Sequence, residues 1–166
     1  GSSYNKAIEL ANFTGRDVDL SRYALWRITN GGDTWAELGA SSKVALTGTL
    51  AHRDVWVGCN TSSAAAVLAQ CDVPFGQGSA PTNYNGDDAI ALVKDGVIID
   101  VVGVDAADPG AGWMVGALEA ATANHTLIRK PNIASGAIDW AVSAATQWDV
   151  SSEDDFSALG AHTVGC

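Results

Sequence analysis

The hydrophobic and polar residues of this chain alternate over short stretches and do not follow a helical period. In residues 5–12 (NKAIELAN), Ile8 and Leu10 fall on one side and Glu9 on the other, as expected for a half-buried strand. Residues 24–29 (ALWRIT) alternate in the same way, and residues 55–59 (VWVGC) are nearly all apolar. These patterns predict three strands, and the apolar character of residues 55–59 indicates a central position in a sheet.

Turn-forming residues separate the apolar stretches and predict hairpins. Residues 30–33 (NGGD) contain Asn and Gly, which tolerate positive φ, so we expect a return strand to begin in residues 34–38 (TWAEL). The dipeptide at residues 95–96 (DG) lies between two apolar runs, which is among the clearest hairpin signals in a sequence. Residues 125–130 (HTLIRK) predict one further strand.

Only residues 61–72 (TSSAAAVLAQCD) make a good helix candidate, with Ser62 or Ser63 as its cap. Residues 139–150 (DWAVSAATQWDV) predict an irregular stretch. The 18 glycines and the frequent turn signals indicate an antiparallel sandwich or barrel. We therefore expect an all-β fold with one short helix, in which residues 1–166 form a single domain without repeats or linkers.

The charge balance narrows the classes of function. There are 19 Asp and Glu residues against 9 Lys and Arg, which gives a net charge of −10. Binding to nucleic acid requires clustered cations that displace counterions from phosphates, so nucleic acid is not an expected partner. No apolar run reaches the roughly 18 residues of a membrane span. The chain begins GSSYNKAIEL without methionine, and we expect a processed chain or an excised piece.

The three cysteines allow two kinds of bond. Cys59 and Cys71 are close in sequence, and a disulfide between them would stabilise the fold by about 3 kcal/mol in the loop-entropy model. Free thiols in the core are the alternative. Cys166 is the last residue, and it is expected to pair with another chain or to be foreign to the natural protein.

No catalytic constellation is visible in the sequence. The only histidines are His52, His125 and His162, and no GxSxG motif accompanies them. Neither of the glycine-rich motifs that cradle phosphates is present, which argues against a nucleotide cofactor. We therefore predict no catalytic residues and expect His125 to be structural or exposed.

The adjacent carboxylates Asp87 and Asp88, before an apolar run, are the main candidates for a site. Neighbours on a strand point to opposite faces, so a structural role at the entrance to a strand is the favoured interpretation. A calcium site with loop oxygens is the alternative, and calcium is the only cofactor that the sequence suggests. Trp113, among glycines, is the best candidate for an exposed ligand-binding surface, including one for carbohydrate.

Five segments, taken in order, carry a family resemblance: SSYNKAIELAN, LTGTLAHRDVWVGCN, NYNGDDAIALVKDGVIIDVVG, NHTLIRKP and DWAVSAATQWDV followed by FSALGAHT. Together they resemble the lamin tail domain in its bacterial secreted form. The resemblance implies an immunoglobulin-like antiparallel β-sandwich without catalytic residues of its own, with Asp87 and Asp88 at the start of an inner strand. It also implies an extracellular or cell-surface location.

The resemblance sets the expected partners. The strand that precedes SSYNKAIEL in such domains is missing here, so a second copy is one expected partner, forming an oligomer or filament through strand pairing or through Cys166. We therefore expect a non-catalytic structural, adhesive or self-assembling module. The alternatives are an accessory binding module beside a secreted nuclease or phosphatase domain, and a calcium-stabilised carbohydrate-binding module.

Overall fold

The computed structural model describes residues 1–76, 78 and 81–165, and its regular structure is mainly β. The strands in these residues are β1 (Ala7–Ala11), β2 (Val18–Asp19), β3 (Tyr23–Ile28), β4 (Lys43–Ala45), β5 (Thr49–Leu50), β6 (Val55–Asn60), β7 (Val73–Phe75), β8 (Ala89–Lys94), β9 (Val97–Val102), β10 (His125–Arg129) and β11 (Trp148–Glu153). Two α-helices accompany them, α1 (Ala65–Leu68) and α2 (Trp140–Thr146), together with 3₁₀ turns at Leu20–Arg22 and Ala40–Ser42. Cys166, with its predicted bond to another chain, lies outside the described residues.

Two sheets organise the fold. The larger sheet has the order β4-β3-β8-β9, with every neighbouring pair antiparallel. The smaller sheet has the order β1-β6-β7, in which β1 runs antiparallel to β6 and β7 runs parallel to it. The parallel pair departs from the expected antiparallel pattern because α1 carries the chain back before β7 begins. Two-stranded ribbons, β2-β5 and β10-β11, flank the sheets.

Alternation along β3 divides the core into layers. Leu25 of β3 packs with Trp56 of β6 in a cluster that also takes residues from β1 and β7, so this cluster lies between the two sheets. Ala24 and Trp26 point to the other face of β3, where the cluster includes Trp140 of α2. The result is an all-β, sandwich-like fold, with α2 and the β10-β11 ribbon packed against the second face of the larger sheet.

The hairpin predicted at residues 95–96 is confirmed. Asp95 and Gly96 have φ values of +50° and +80° between β8 and β9, which is the left-handed pair that a tight two-residue turn requires. The predicted strands at residues 5–12, 24–29, 55–59 and 125–130 are confirmed as β1, β3, β6 and β10.

Three predictions of local structure were wrong or inexact. Residues 35–37 form a turn, and the strand that returns beside β3 is β4. Residues 139–150 are regular, since they contain α2 and the start of β11. The predicted helix at residues 61–72 is reduced to α1, because Asp72 is already hydrogen-bonded to Val57 of β6.

Candidate functional site

Asp88 lies immediately before β8 and is almost completely buried. Its Oδ2 accepts hydrogen bonds from Nη1 of Arg27 at 3.1 Å and from the backbone N–H of Asn85 at 3.0 Å. Its Oδ1 accepts the backbone N–H of Asn30 at 2.9 Å. One carboxylate thus joins the end of β3, the turn before β8 and a guanidinium. Such charge-assisted bonds are stronger than neutral ones.

The position of Arg27 follows from the pairing of β3 with β8. Arg27 is opposite Ile90, so its side chain lies on the same face of the sheet as Asp88, which is two residues before Ile90. Arg27 also donates through Nη1 to the carbonyl of Asn83. The guanidinium therefore closes the loop that leads into β8.

Further buried polar groups lie close to this pair. The Tyr84 hydroxyl donates to the Ala7 carbonyl at 2.8 Å, and burial raises the pKa of Tyr84 to about 12. Lys6 is buried over the Tyr84 ring, and desolvation lowers the pKa of its ammonium. Asn60, which is fully buried, donates to the Thr82 carbonyl at 3.2 Å. These bonds tie the start of β1 and the end of β6 to the loop before β8.

Asp87 has a different environment from its neighbour. Its side chain is half-buried, and its Oδ1 is buried without a hydrogen-bond partner among the described residues. Burial raises the pKa of the Asp87 carboxyl, and the nearby charges of Asp88 and Asp108 raise it further. The two carboxylates of the doublet therefore do not act as a matched pair.

The described residues hold no cluster of three or more His, Cys, Asp or Glu side chains that could bind a metal ion. Both oxygens of Asp88 already accept hydrogen bonds from the protein. A cation at the doublet would have to compete with Arg27 for the same carboxylate.

Cys59 and Cys71 form a disulfide in the structure. Cys59 is fully buried in β6, and Cys71 follows α1. The bond fixes the chain between β6 and β7, next to the hydrogen bond from the Val57 N–H to Asp72 at 2.8 Å.

Trp113, the candidate for a ligand surface, is half-buried and packs against two core clusters. A Cβ atom placed on Gly103 would come within 2.7 Å of its indole ring, so the glycine makes room for the tryptophan. The backbone N–H of Trp113 donates to Oγ1 of Thr122 at 2.8 Å. The indole is a packing element in this structure.

The three histidines contact structural neighbours. His125 contacts the Ser151 carbonyl through Nδ1 at 2.9 Å. His52 and His162 lie edge-on to the Phe13 ring, at centroid distances of 6.4 and 6.0 Å. Burial lowers the pKa of His162.

Sequence reasoning missed two arginines that organise the polar interior. Arg27 was treated only as part of an alternating strand, although a cation on an otherwise half-buried strand signals a buried acidic partner. Arg129 donates from Nη2 to both oxygens of Asp100 at 2.6 Å and stacks over Trp148 at 3.9 Å. Through these contacts it joins β9, β10 and β11.

No helix among the described residues is long and apolar enough to cross a membrane. A comparison of the chain with protein-family models finds no match. A search among curated proteins finds no relative of significant similarity. The resemblance to the lamin tail domain stays a prediction from the sequence.

Proposed function

We propose that this chain is a non-catalytic structural or adhesive module of the lamin tail type. The observation that carries the proposal is the position of Asp88, whose buried carboxylate accepts hydrogen bonds from Arg27, Asn30 and Asn85. A carboxylate held in this way stabilises the entrance to a central strand. Both of its oxygens are engaged with groups of the protein itself.

An extracellular location belongs to the same proposal. The Cys59–Cys71 disulfide supports it, because such bonds persist in oxidising compartments and are rare in the cytosol. The acidic surface, with a net charge of −10, favours solubility and disfavours nucleic acid as a partner.

An assay of the purified chain tests the non-catalytic assignment. We expect phosphodiesterase and phosphomonoesterase activity at background in magnesium, manganese and calcium, with no change in Asp87→Ala. The matched control is Asp95→Ala, which removes an exposed carboxylate in the β8-β9 turn. Hydrolysis above background that Asp87→Ala abolishes and Asp95→Ala preserves would overturn the proposal.

A further inference from the structure

The outer face of α2 carries an apolar surface that the fold leaves exposed. Ile138, which directly precedes the Asp139 cap of α2, is 71% exposed, and Val142 within the helix is 55% exposed. Ala141 and Ala145 are exposed beside them, whereas Trp140 and Ala144 point into the core. The solvent side of α2 therefore lacks charged residues.

A neighbouring turn extends this surface. The Gly116 N–H donates to the Ala144 carbonyl of α2 at 2.8 Å, and Val115 packs in the same cluster as Ala144. Met114 and Leu118, on either side of this anchor, are 52% and 42% exposed. We name Met114, Leu118, Ile138 and Val142 the α2 patch. Exposed apolar side chains grouped around one helix mark a candidate interaction surface.

The charges at the ends of α2 indicate what covers the patch. Asp139 caps the N-terminus, accepting the Val142 N–H at 3.1 Å. At the other end, Nζ of Lys130 donates to the Thr146 carbonyl at 3.1 Å. α2 has seven residues and is about 10 Å long. The surface is thus acidic at one end, apolar in the middle and basic at the other end.

A two-fold rotation brings the acidic end of this surface against the basic end of a second copy. If two copies of α2 pack antiparallel, each Asp139 lies beside the Lys130 of the other copy, and Val142 meets Val142 at the axis. The helix dipoles are then also antiparallel. We propose that the α2 patch is a homodimer interface and that its occupant is a second copy of this chain. The inference rests on the proposed structural role and names the partner.

The edge of β1 is a weaker candidate for the same partner. An antiparallel pair of β1 strands centred on Glu9 would place two carboxylates opposite each other, which destabilises a sheet. Burial already raises the pKa of Glu9, which accepts the Gly160 N–H at 2.7 Å. Strand pairing of β1 with a second copy in this register is therefore disfavoured.

Sedimentation velocity of the purified chain over a range of concentrations tests the inference. We expect a reversible monomer–dimer equilibrium, with a Kd that Val142→Asp raises at least about tenfold, since the substitution places two carboxylates on the two-fold axis. Lys130→Glu is expected to raise the Kd as well. The matched control is Val97→Asp, because Val97 is 64% exposed at the start of β9, directly after the β8-β9 turn and outside the α2 patch.

Three results would overturn the dimer proposal. The first is a chain that stays monomeric up to about 1 mM, a concentration at which only the weakest contacts escape detection. The others are a dimer whose Kd Val142→Asp does not change, and a Kd that Val97→Asp raises as much as Val142→Asp does. Circular dichroism checks that each variant folds, and Ile138→Ser replaces Val142→Asp if the latter does not. Failure of the dimer leaves the non-catalytic assignment standing, because that assignment is judged by the hydrolase assay.

Discussion

The guanidinium of Arg27 and the carboxylate of Asp88 meet at 3.1 Å inside the fold, with 12% and 1% of their side chains exposed. The contact joins β3 to the residue that precedes β8. Breaking a buried pair by removing one partner is far more costly than losing an exposed pair, because the remaining charge is left without compensation. Asp88 therefore acts as an architectural residue in this account.

We predict that Asp88→Ala lowers the free energy of unfolding by about 3–5 kcal/mol. The substitution leaves the charge of Arg27 without its buried counterion and two backbone N–H groups without their acceptor. Urea unfolding followed by tryptophan fluorescence measures the change. As a control, Asp95→Ala breaks the exposed Arg22–Asp95 pair and should alter the midpoint only slightly. Equal effects of the two substitutions would contradict the prediction.

Removing the charge of Asp87 should stabilise the fold, in contrast to Asp88→Ala, and the size of the effect should depend on pH. Burial raises its folded-state pKa above the ordinary value of 3.8, so its stabilising contribution is intact below that value and is lost as pH rises through the folded pKa. Asp87→Asn removes the charge, and we expect a higher Tm than wild type at neutral pH. The difference should vanish in acid. A Tm difference that stays constant across the pH range would speak against this cause.

The disulfide should contribute strongly to stability. The cysteines are 12 residues apart, and the loop-entropy model assigns about 3 kcal/mol to a loop of this size. We expect the double variant Cys59→Ala, Cys71→Ala to unfold at a correspondingly lower urea concentration. A reducing agent should have no further effect on the variant. In the wild type it should lower the urea midpoint, because unfolding exposes Cys59 and allows the disulfide to be reduced. Unchanged unfolding of the double variant would disprove the contribution.

Replacing Arg129 with lysine should destabilise the fold, although the positive charge is kept. Its planar group binds both oxygens of Asp100 and stacks on Trp148, which an ammonium cannot reproduce. We predict that Arg129→Lys costs about 1–3 kcal/mol in the free energy of unfolding. The neighbouring Lys130→Arg, which keeps a cation beside Thr146, should change it by less than about 0.5 kcal/mol. A tolerated Arg129→Lys would show that charge alone matters at this position.

The elements that could be predicted from the sequence are those determined by residues close together in the chain. The turn at residues 95–96 uses residues that adopt positive φ, and alternation in β1 and β3 is readable without knowledge of the partner strand. The partner of Asp88 was not predictable in this way. Arg27 lies 61 residues earlier, and only the register of β3 against β8 brings the two together.

The errors arose where tertiary contacts outweighed local preference. The backbone N–H of Trp35 donates to Oδ2 of Asp105 at 3.2 Å, a contact with a distant loop, and residues 35–37 form a turn instead of the expected strand. α2 is a different case, since an irregular stretch is predicted from the sequence over its residues. The signals for the helix were present: Asp139 is a good cap, and Trp140 and Ala144 are buried four residues apart.

The most direct test of the architectural role of Asp88 is thermal unfolding of wild type and Asp88→Asn, each in calcium and in EDTA. A ligand that binds only the native state must raise its Tm. We predict the same wild-type Tm in both solutions and an equal decrease in Asp88→Asn in both. A wild-type Tm that rises in calcium, with the increase lost in Asp88→Asn, would contradict the account and identify the doublet as a metal site.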